Sequence, residues 1–301
     1  MGALRTTMAR PVARATPHAT NWTRRDLETV VVTAALVLAT AVFMFPILLM
    51  IAVSFKAPVD VIATPPHWFF RPTLDNYAAL IGLHPSEFKI DLLLHFRNSV
   101  AAAGGATVLS LALAAPAAYA FARLRFRGAR PVMFFLLALR MLPPIATVIP
   151  LYLIMRNLHL LDTIVGLILA YTTFNLPFVV WVLRSFFLDL PADLEEAALI
   201  DGATRWQCLY KVILPLSAPG IVASGIFALM LAWNDFLFAV ILTSRHAPTL
   251  PVLTAGFITE MGTSWGIAMA AGTVIALPVL FFTFFVQRYM VVGLTTGAVK
   301  G

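Results

Sequence analysis

TVVVTAALVLATAVFMFPILLMIAVSF, Thr29 to Phe55, carries no charged side chain along its whole length. A helix needs about 20 mostly apolar residues to cross about 30 Å of hydrocarbon, so this stretch is long enough to span a bilayer. It is also much longer than the apolar core of a signal peptide. The residues before it, MGALRTTMARPVARATPHATNWTRRDLE, are basic and polar, and they read as a cytoplasmic leader covering 1–28.

Five more apolar runs follow, at about Asn98–Phe121, Pro131–Met155, Thr163–Phe187, Pro219–Leu242 and Gly266–Val286. Composition points the same way. Of 301 residues, 60% are hydrophobic and only 12% are charged, with a mean hydropathy of +0.90. A soluble domain carries about 25% charged residues, and its surface must stay polar enough to remain dispersed. The expected fold class is therefore all-α, a polytopic membrane protein with six transmembrane helices. The chain divides into the leader, a first span with its outside loop (29–97), a five-helix core (98–287) containing an inside loop at 188–218, and a cytoplasmic tail (288–301).

The net charge is +7. The basic residues sit between the apolar runs rather than on one face, so no nucleic-acid patch is expected and the solvent is membrane lipid. With the N-terminus inside, fourteen Lys and Arg fall in inside segments and six outside, with Arg140 left within a span. That excess favours both termini in the cytoplasm. The segment ARLRFRGAR, 122–130, carries four of the arginines. Prolines at Pro46, Pro116, Pro143, Pro144, Pro150, Pro177 and Pro278 predict kinks within or beside the spans. The one cysteine, Cys208, rules out an intrachain disulfide, and the six histidines form no pair at metal-ligand spacing. No metal is expected, and no nucleophile, base and orienting group occur together, so catalytic residues are absent and the chain does not read as an enzyme.

The inside loop reads LPADLEEAALIDGATRWQCLYKVILPLSAPG, 190–220. Asp193 is placed to cap a helix, and Glu195 and Glu196 put negative charge in its first turn, where the helix dipole favours it. Ala197, Ala198 and Leu199 are strong helix formers, and Gly202 ends the helix. A second short stretch presents Trp206, Leu209, Tyr210 and Ile213, before Pro215 and Pro219 lead into the fifth span. A short helix outside the membrane, with small residues on one side, can seat in a groove on a cytosolic partner.

Glu196-Ala197-Ala198, then Gly202 after three residues, then Val212-Ile213-Leu214-Pro215 after nine, resembles the EAA loop of bacterial ABC importer permeases. Val212 stands where that family has isoleucine. Thr73-Leu74-Asp75-Asn76-Tyr77 and Trp233-Asn234-Asp235-Phe236 are similar to the carbohydrate branch of the family. The tail Gly293–Gly301 resembles that of the smaller permease of the maltose-type transporter. The resemblance implies a type I ABC importer permease (MetI-like) core in the bacterial inner membrane, importing a sugar or polyol. It implies that Glu195, Glu196, Ala197, Ala198, Asp201, Gly202, Ala203, Leu214 and Pro215 couple to an ATPase, and that Thr296, Gly297 and Lys300 reach it through the tail. It further implies a cytosolic ABC ATPase dimer, a second homologous permease, and a periplasmic or lipid-anchored solute-binding protein. ATP and Mg belong to the partner ATPase: this chain has no Gly-Lys pair, and so no phosphate-cradling G-x-x-x-x-G-K-[ST] loop.

A charge at mid-bilayer costs at least about 2.5 kcal/mol and usually faces the bundle interior or water. Arg140, Asn234 and Asp235 read either as partners for sugar hydroxyls along the path or as a polar clamp between helices, with an Arg140–Asp235 ion pair as one form of clamp. Tyr171 and Asn175 fall on one helix face beside Pro177 and read the same two ways, as does Trp233. His67, Trp68 and Tyr77 outside either meet the binding protein or only pack their loop. The small residues Ala101–Ala106 allow close helix packing in lipid, and Gly262 and Gly266 form a GxxxG that straddles the edge of the sixth span. Two alternatives remain at this stage: an ion-coupled secondary transporter, which calls for repeats and midplane carboxylates, and an ABC permease for glycerol-phosphate or another non-sugar solute.

Overall fold

The computed structural model describes residues 24–83, 90–124, 126–259 and 262–298, with only the backbone described at 24–26, 258, 259, 262 and 285–298. The first span is α1, Arg24–Ser54. It starts inside what the sequence assigns to the leader, because Arg24-Arg25-Asp26-Leu27-Glu28 has no helix breaker. Residues up to Leu49 form one compact unit and those from Met50 onward the other. Within the first unit, Leu36, Val37 and Phe43 are exposed, as suits a helix whose solvent is hydrocarbon.

The second unit opens with two short helices, α2 (Pro58–Val61) and α3 (Asp75–Leu80). Its core is carried by α4 (Leu92–Arg123), α7 (Ile164–Asp189) and α11 (Ala218–Trp233). The Asp91 carboxylate accepts the Leu94 N–H at 2.9 Å and starts α4. Likewise the Thr163 hydroxyl accepts the Gly166 N–H at 3.0 Å and starts α7, which removes one unpaired donor from each helix end. Ala102, Ala103 and Ala106 are fully buried, so the small-residue stretch does let α4 meet its neighbours closely. One apolar cluster gathers at the start of α4 with Leu80, Tyr171, Trp233 and Phe257. A second gathers at its end with Tyr119, Val180, Phe187 and Ile213.

Two of the expected spans are broken. The third becomes α5 (Ala129–Met141) and α6 (Pro144–Asn157), bent by 100°. Pro143 and Pro144 remove two backbone donors in a row, and Leu142 before them is forced extended (ψ 130). Pro46, Pro116, Pro150, Pro177 and Pro278, in contrast, lie inside continuous helices. The fifth span stops at Trp233 and resumes as α12, Leu237–Leu242, after Asn234-Asp235-Phe236. It is also bent by 80° from the segment Arg205–Leu216 that precedes it. By length and apolarity the described residues thus hold four unbroken candidate spans, or six with each bent pair counted as one. Beyond α12 come α13 (Leu250–Ala255), a two-strand hairpin of β1 (Ile258–Thr259) and β2 (Gly262–Thr263), and α14 (Trp265–Ala298). Gly262 therefore lies in a strand and Gly266 in a helix, so the GxxxG straddles the boundary between the two elements.

Candidate functional site

The loop at 188–218 folds as α8 (Asp193–Ile200), α9 (Arg205–Cys208), a π-type turn over Leu209–Ile213, and α10 (Leu214–Leu216). Asp193 is not the cap of α8. It occupies the first helical position behind Ala192, adding its charge to those of Glu195 and Glu196 in the first turn. Gly202 ends the helix with φ +86, a left-handed conformation that glycine adopts without steric cost. Its N–H reaches the Leu199 carbonyl and the Ala203 N–H that of Ala198, at 3.1 and 3.0 Å. Thr204 and Gln207 cap α9 reciprocally: each side chain accepts the other residue's backbone N–H.

The loop has two faces. Glu196, Ala197, Asp201, Gly202 and Pro215 are exposed, while Ala198, Ala203 and Leu214 are half-buried. Ile200 is 86% exposed, an unusual state for isoleucine, and Trp206 and Tyr210 stack in the open with their rings 6.0 Å apart. Leu209 and Ile213 point the other way, into the core, as does Cys208. Glu195 also points inward. It is 4% exposed, and its Oε1 accepts the Tyr119 hydroxyl at 2.5 Å and an Arg205 N–H at 2.6 Å. Its Oε2 stands 3.4 Å from Arg123 Nε. Arg123 in turn donates to the Leu190 carbonyl at 2.7 Å, and Arg184 to that of Phe121 at 3.3 Å. The ends of α4 and α7 therefore meet the start of α8, and Arg123, of the arginine-rich segment, lies at the same end of the bundle as the loop.

Arg140 and Asp235 do not form an ion pair. Arg140 donates to the Phe174 carbonyl at 3.1 Å and lies over the Phe178 ring, 5.5 Å from its centre. Asp235 accepts the N–H groups of Phe238 (3.0 Å) and Ala239 (3.4 Å) at the start of α12. Each side chain finds a backbone partner of its own, Arg140 a carbonyl within α7 and Asp235 the N–H groups freed where α12 begins, which removes the need for the other. Arg140 opens on a cavity of about 210 Å³ beside the α5–α6 bend, together with Thr147, Thr173 and Phe174. Asn234 is exposed and donates to the Met230 carbonyl at 2.8 Å. Asn175 is buried and bound to the Ala228 carbonyl, and Trp233 is buried and bound to that of Ile275, at 3.0 and 3.1 Å. Tyr171 is 3% exposed, and its hydroxyl, like that of nearby Thr249, lacks a well-aligned partner.

A family described as "binding-protein-dependent transport system inner membrane component" matches residues 98–295. The chain belongs to that family. Among curated relatives, the trehalose transport system permease protein SugB of Mycobacterium tuberculosis is 42% identical over 76% of this chain and 82% of its own. The trehalose/maltose transport system permease protein MalG of Thermococcus litoralis is 34% identical over 91% and 98%. A solved bacterial ABC transporter that imports the polysaccharide alginate has the same fold, with a TM-score of 0.70 at 24% identity over 89% of this chain and 98% of that one. The chain is thus a permease subunit of a binding-protein-dependent importer, a transporter component rather than an enzyme, and the secondary-transporter alternative falls.

The fold of the permease also gives work to residues the sequence did not single out. Asp162 adopts a left-handed backbone (φ 55) between α6 and α7. Its carboxylate accepts the backbone N–H groups of Ser244, Arg245, His246 and Ala247 at 2.8–3.1 Å, and His246 Nδ1 lies 2.8 Å away. Burial pushes its pKa up, but these hydrogen bonds outweigh burial and hold the carboxyl below the usual carboxylate range. Asn98 adds bonds to the His246 and Pro248 carbonyls, and the Ser99 hydroxyl accepts the Leu250 N–H. The segment after α12 is strapped down from two sides, by the α6–α7 turn and by α4. At the same end, Asn76 donates to the Ser54 and Lys56 carbonyls, both at 2.9 Å, and the Tyr77 and Ser54 hydroxyls are hydrogen-bonded at 2.7 Å. Tyr77 is therefore engaged inside its own chain, His67 contacts Asp60 at 2.9 Å, and Trp68 is exposed. Lys300 lies outside the described residues, and of Thr296 and Gly297 only the helical backbone is described.

Proposed function

We propose that this permease imports a sugar or polyol across the bacterial inner membrane, powered by ATP and Mg on a separate ABC ATPase dimer. In this reading α8 is the coupling helix that docks on that dimer. The observation that carries the reading is the two-faced loop: Glu196, Ile200, Trp206 and Tyr210 stand open on one side while Glu195, Leu209 and Ile213 anchor the other. Exposed large apolar groups ringed by polar ones mark a protein contact. The excess of arginine at this end supports a cytoplasmic position for the loop and for both termini. The tail residues Thr296, Gly297 and Lys300 then extend toward the same ATPase.

Carbohydrate cargo is supported by the relatives, which serve trehalose and trehalose/maltose systems. Along the path we assign Arg140 and Asn234 the open positions, with half-buried Asp235 beside them, and Tyr171, Asn175 and Trp233 the wall behind. A second homologous permease covers the exposed α5–α6 face, where Met141 and Ile145 are bare. A solute-binding protein, periplasmic or lipid-anchored, delivers the solute from outside. The test is uptake of labelled disaccharides into proteoliposomes holding the permease pair, with binding protein outside and ATPase and ATP inside. ATP-dependent uptake that stops when any one component is omitted is expected. Uptake by the permease alone, or uptake driven by an ion gradient, refutes the reading.

A further inference from the structure

We propose that Glu195 is a positioning residue: it ties α8 to the end of α4 through Tyr119, Arg123 and Arg205, and does not itself meet the ATPase. The inference rests on the coupling role of α8 and assigns the mechanical joint of that role to residues of this chain. A lever must be stiff, and α8 is not stiff by itself. It has eight residues and no side-chain cap at its start, and helices of that length do not hold in water without tertiary contacts. Leu194 and Ile200 are exposed, so apolar packing fixes little of its surface.

What fixes it is charge. Among the described residues, both ion pairs between arginine and a carboxylate fall on Glu195. Arg123 is the last residue of α4, and its Nη2 donates to the Leu190 carbonyl just past the end of α7. Arg205 is the first residue of α9 and is 55% exposed on the outer side of the loop. Glu195 thus sits at a node where two spans and two halves of the loop meet. A push on the open face of α8 moves the Glu195 carboxylate, and through it the ends of α4 and α7. Its neighbour Glu196 points outward, so the two adjacent glutamates divide the work: one touches the partner, the other transmits.

The test measures ATP hydrolysed per solute imported, a ratio that merely losing folded protein does not change. The complete transporter, with substrate-loaded binding protein, is compared as wild type, Glu195→Gln and Arg205→Gln. Arg205 is half-exposed, so its variant folds even where Glu195→Gln does not. The expected result is the normal complement of bound ATPase, uptake reduced at least tenfold, and ATP hydrolysis within twofold of normal. The ratio then rises at least fivefold, and Arg205→Lys brings it back to within twofold of wild type. An unchanged ratio in Arg205→Gln overturns the inference. So does loss of the ATPase from the Glu195→Gln complex, which makes Glu195 a docking residue. A wild-type chain that brings down no ATPase sinks the coupling reading, and this inference with it.

Discussion

Replacing Asp162 by Asn leaves its size almost unchanged but takes away the charge and one acceptor oxygen. In the native chain Oδ1 accepts the N–H groups of Ser244, His246 and Ala247, while Oδ2 accepts those of Arg245 and His246 and faces His246 Nδ1. An amide nitrogen at the Oδ2 position turns the Arg245 contact into donor against donor. Hydrogen bonds to a charged group contribute about 1.5–3 kcal/mol each and neutral ones about 1. The Asp162 side chain is 20% exposed, so water replaces part of the loss. A net cost of about 2–3 kcal/mol for keeping 244–247 closed follows from losing or weakening these bonds. That corresponds to roughly 30- to 150-fold faster amide exchange at Ser244–Ala247. Hydrogen exchange with mass spectrometry on the permease in lipid nanodiscs reads this directly. The pH dependence has a definite sign. Because the folded value is depressed, the stabilisation is fully present above the unfolded value of about 3.9 and is lost as pH falls through the folded value. Wild-type protection factors therefore hold steady from neutral pH down to the unfolded value and drop below it, whereas those of Asp162→Asn are low and flat. Protection at 244–247 unchanged by the substitution would refute the strap.

Three further outcomes are expected. A Cβ added at Gly266 would stand 2.6 Å from Asn76 Oδ1, so Gly266→Ala displaces a buried side chain holding two carbonyls; at about 1–3 kcal/mol for each polar group left unpaired, thermal unfolding of the purified permease should come several degrees early. Ile200→Glu changes only an open side chain, so stability should stay within about 0.5 kcal/mol while ATP-dependent uptake is lost, and undiminished uptake rules out docking through this face. A Cβ added at Gly202 meets no atom within 4 Å, so Gly202→Ala pays only for its left-handed backbone, about 1–2 kcal/mol; membrane insertion, followed by protease protection, should be normal while uptake falls.

How far the sequence could be read depends on the range of each interaction. The spans were legible because lipid turns hydropathy into a measure of length, and no other solvent tolerates Thr29–Phe55. Gly202 was legible because a left-handed helix end is a local demand. The division between Glu195 and Glu196 was not. Adjacent helix positions face about 100° apart, but which of them turns inward depends on Tyr119 and Arg123 in a helix two spans earlier. Asp162 escaped for the same reason, since its partners are more than 80 residues away in the chain. Pro143-Pro144 announced a kink, but the 100° turn also reflects what α7 offers: the Phe174 carbonyl for Arg140 and the Phe178 ring beneath it. The same contact explains why an Arg140–Asp235 pair, reasonable from the cost of charge in lipid, does not form. Asp193 failed as a cap because Ala192 already carries helical angles, which moves the helix start one residue earlier than its composition suggests.

The central claim is that α8 faces the cytoplasm and is covered there by an ATPase. Cys208 is fully buried, so it offers no background to thiol reagents, and Ile200 is open enough to carry a probe. An Ile200→Cys permease, expressed with its transporter, should resist a membrane-impermeant maleimide in intact spheroplasts. In inside-out vesicles it should react quickly once the ATPase has been stripped with urea, and slowly before. Labelling from the outer side, or equal labelling with and without the ATPase, would contradict the account.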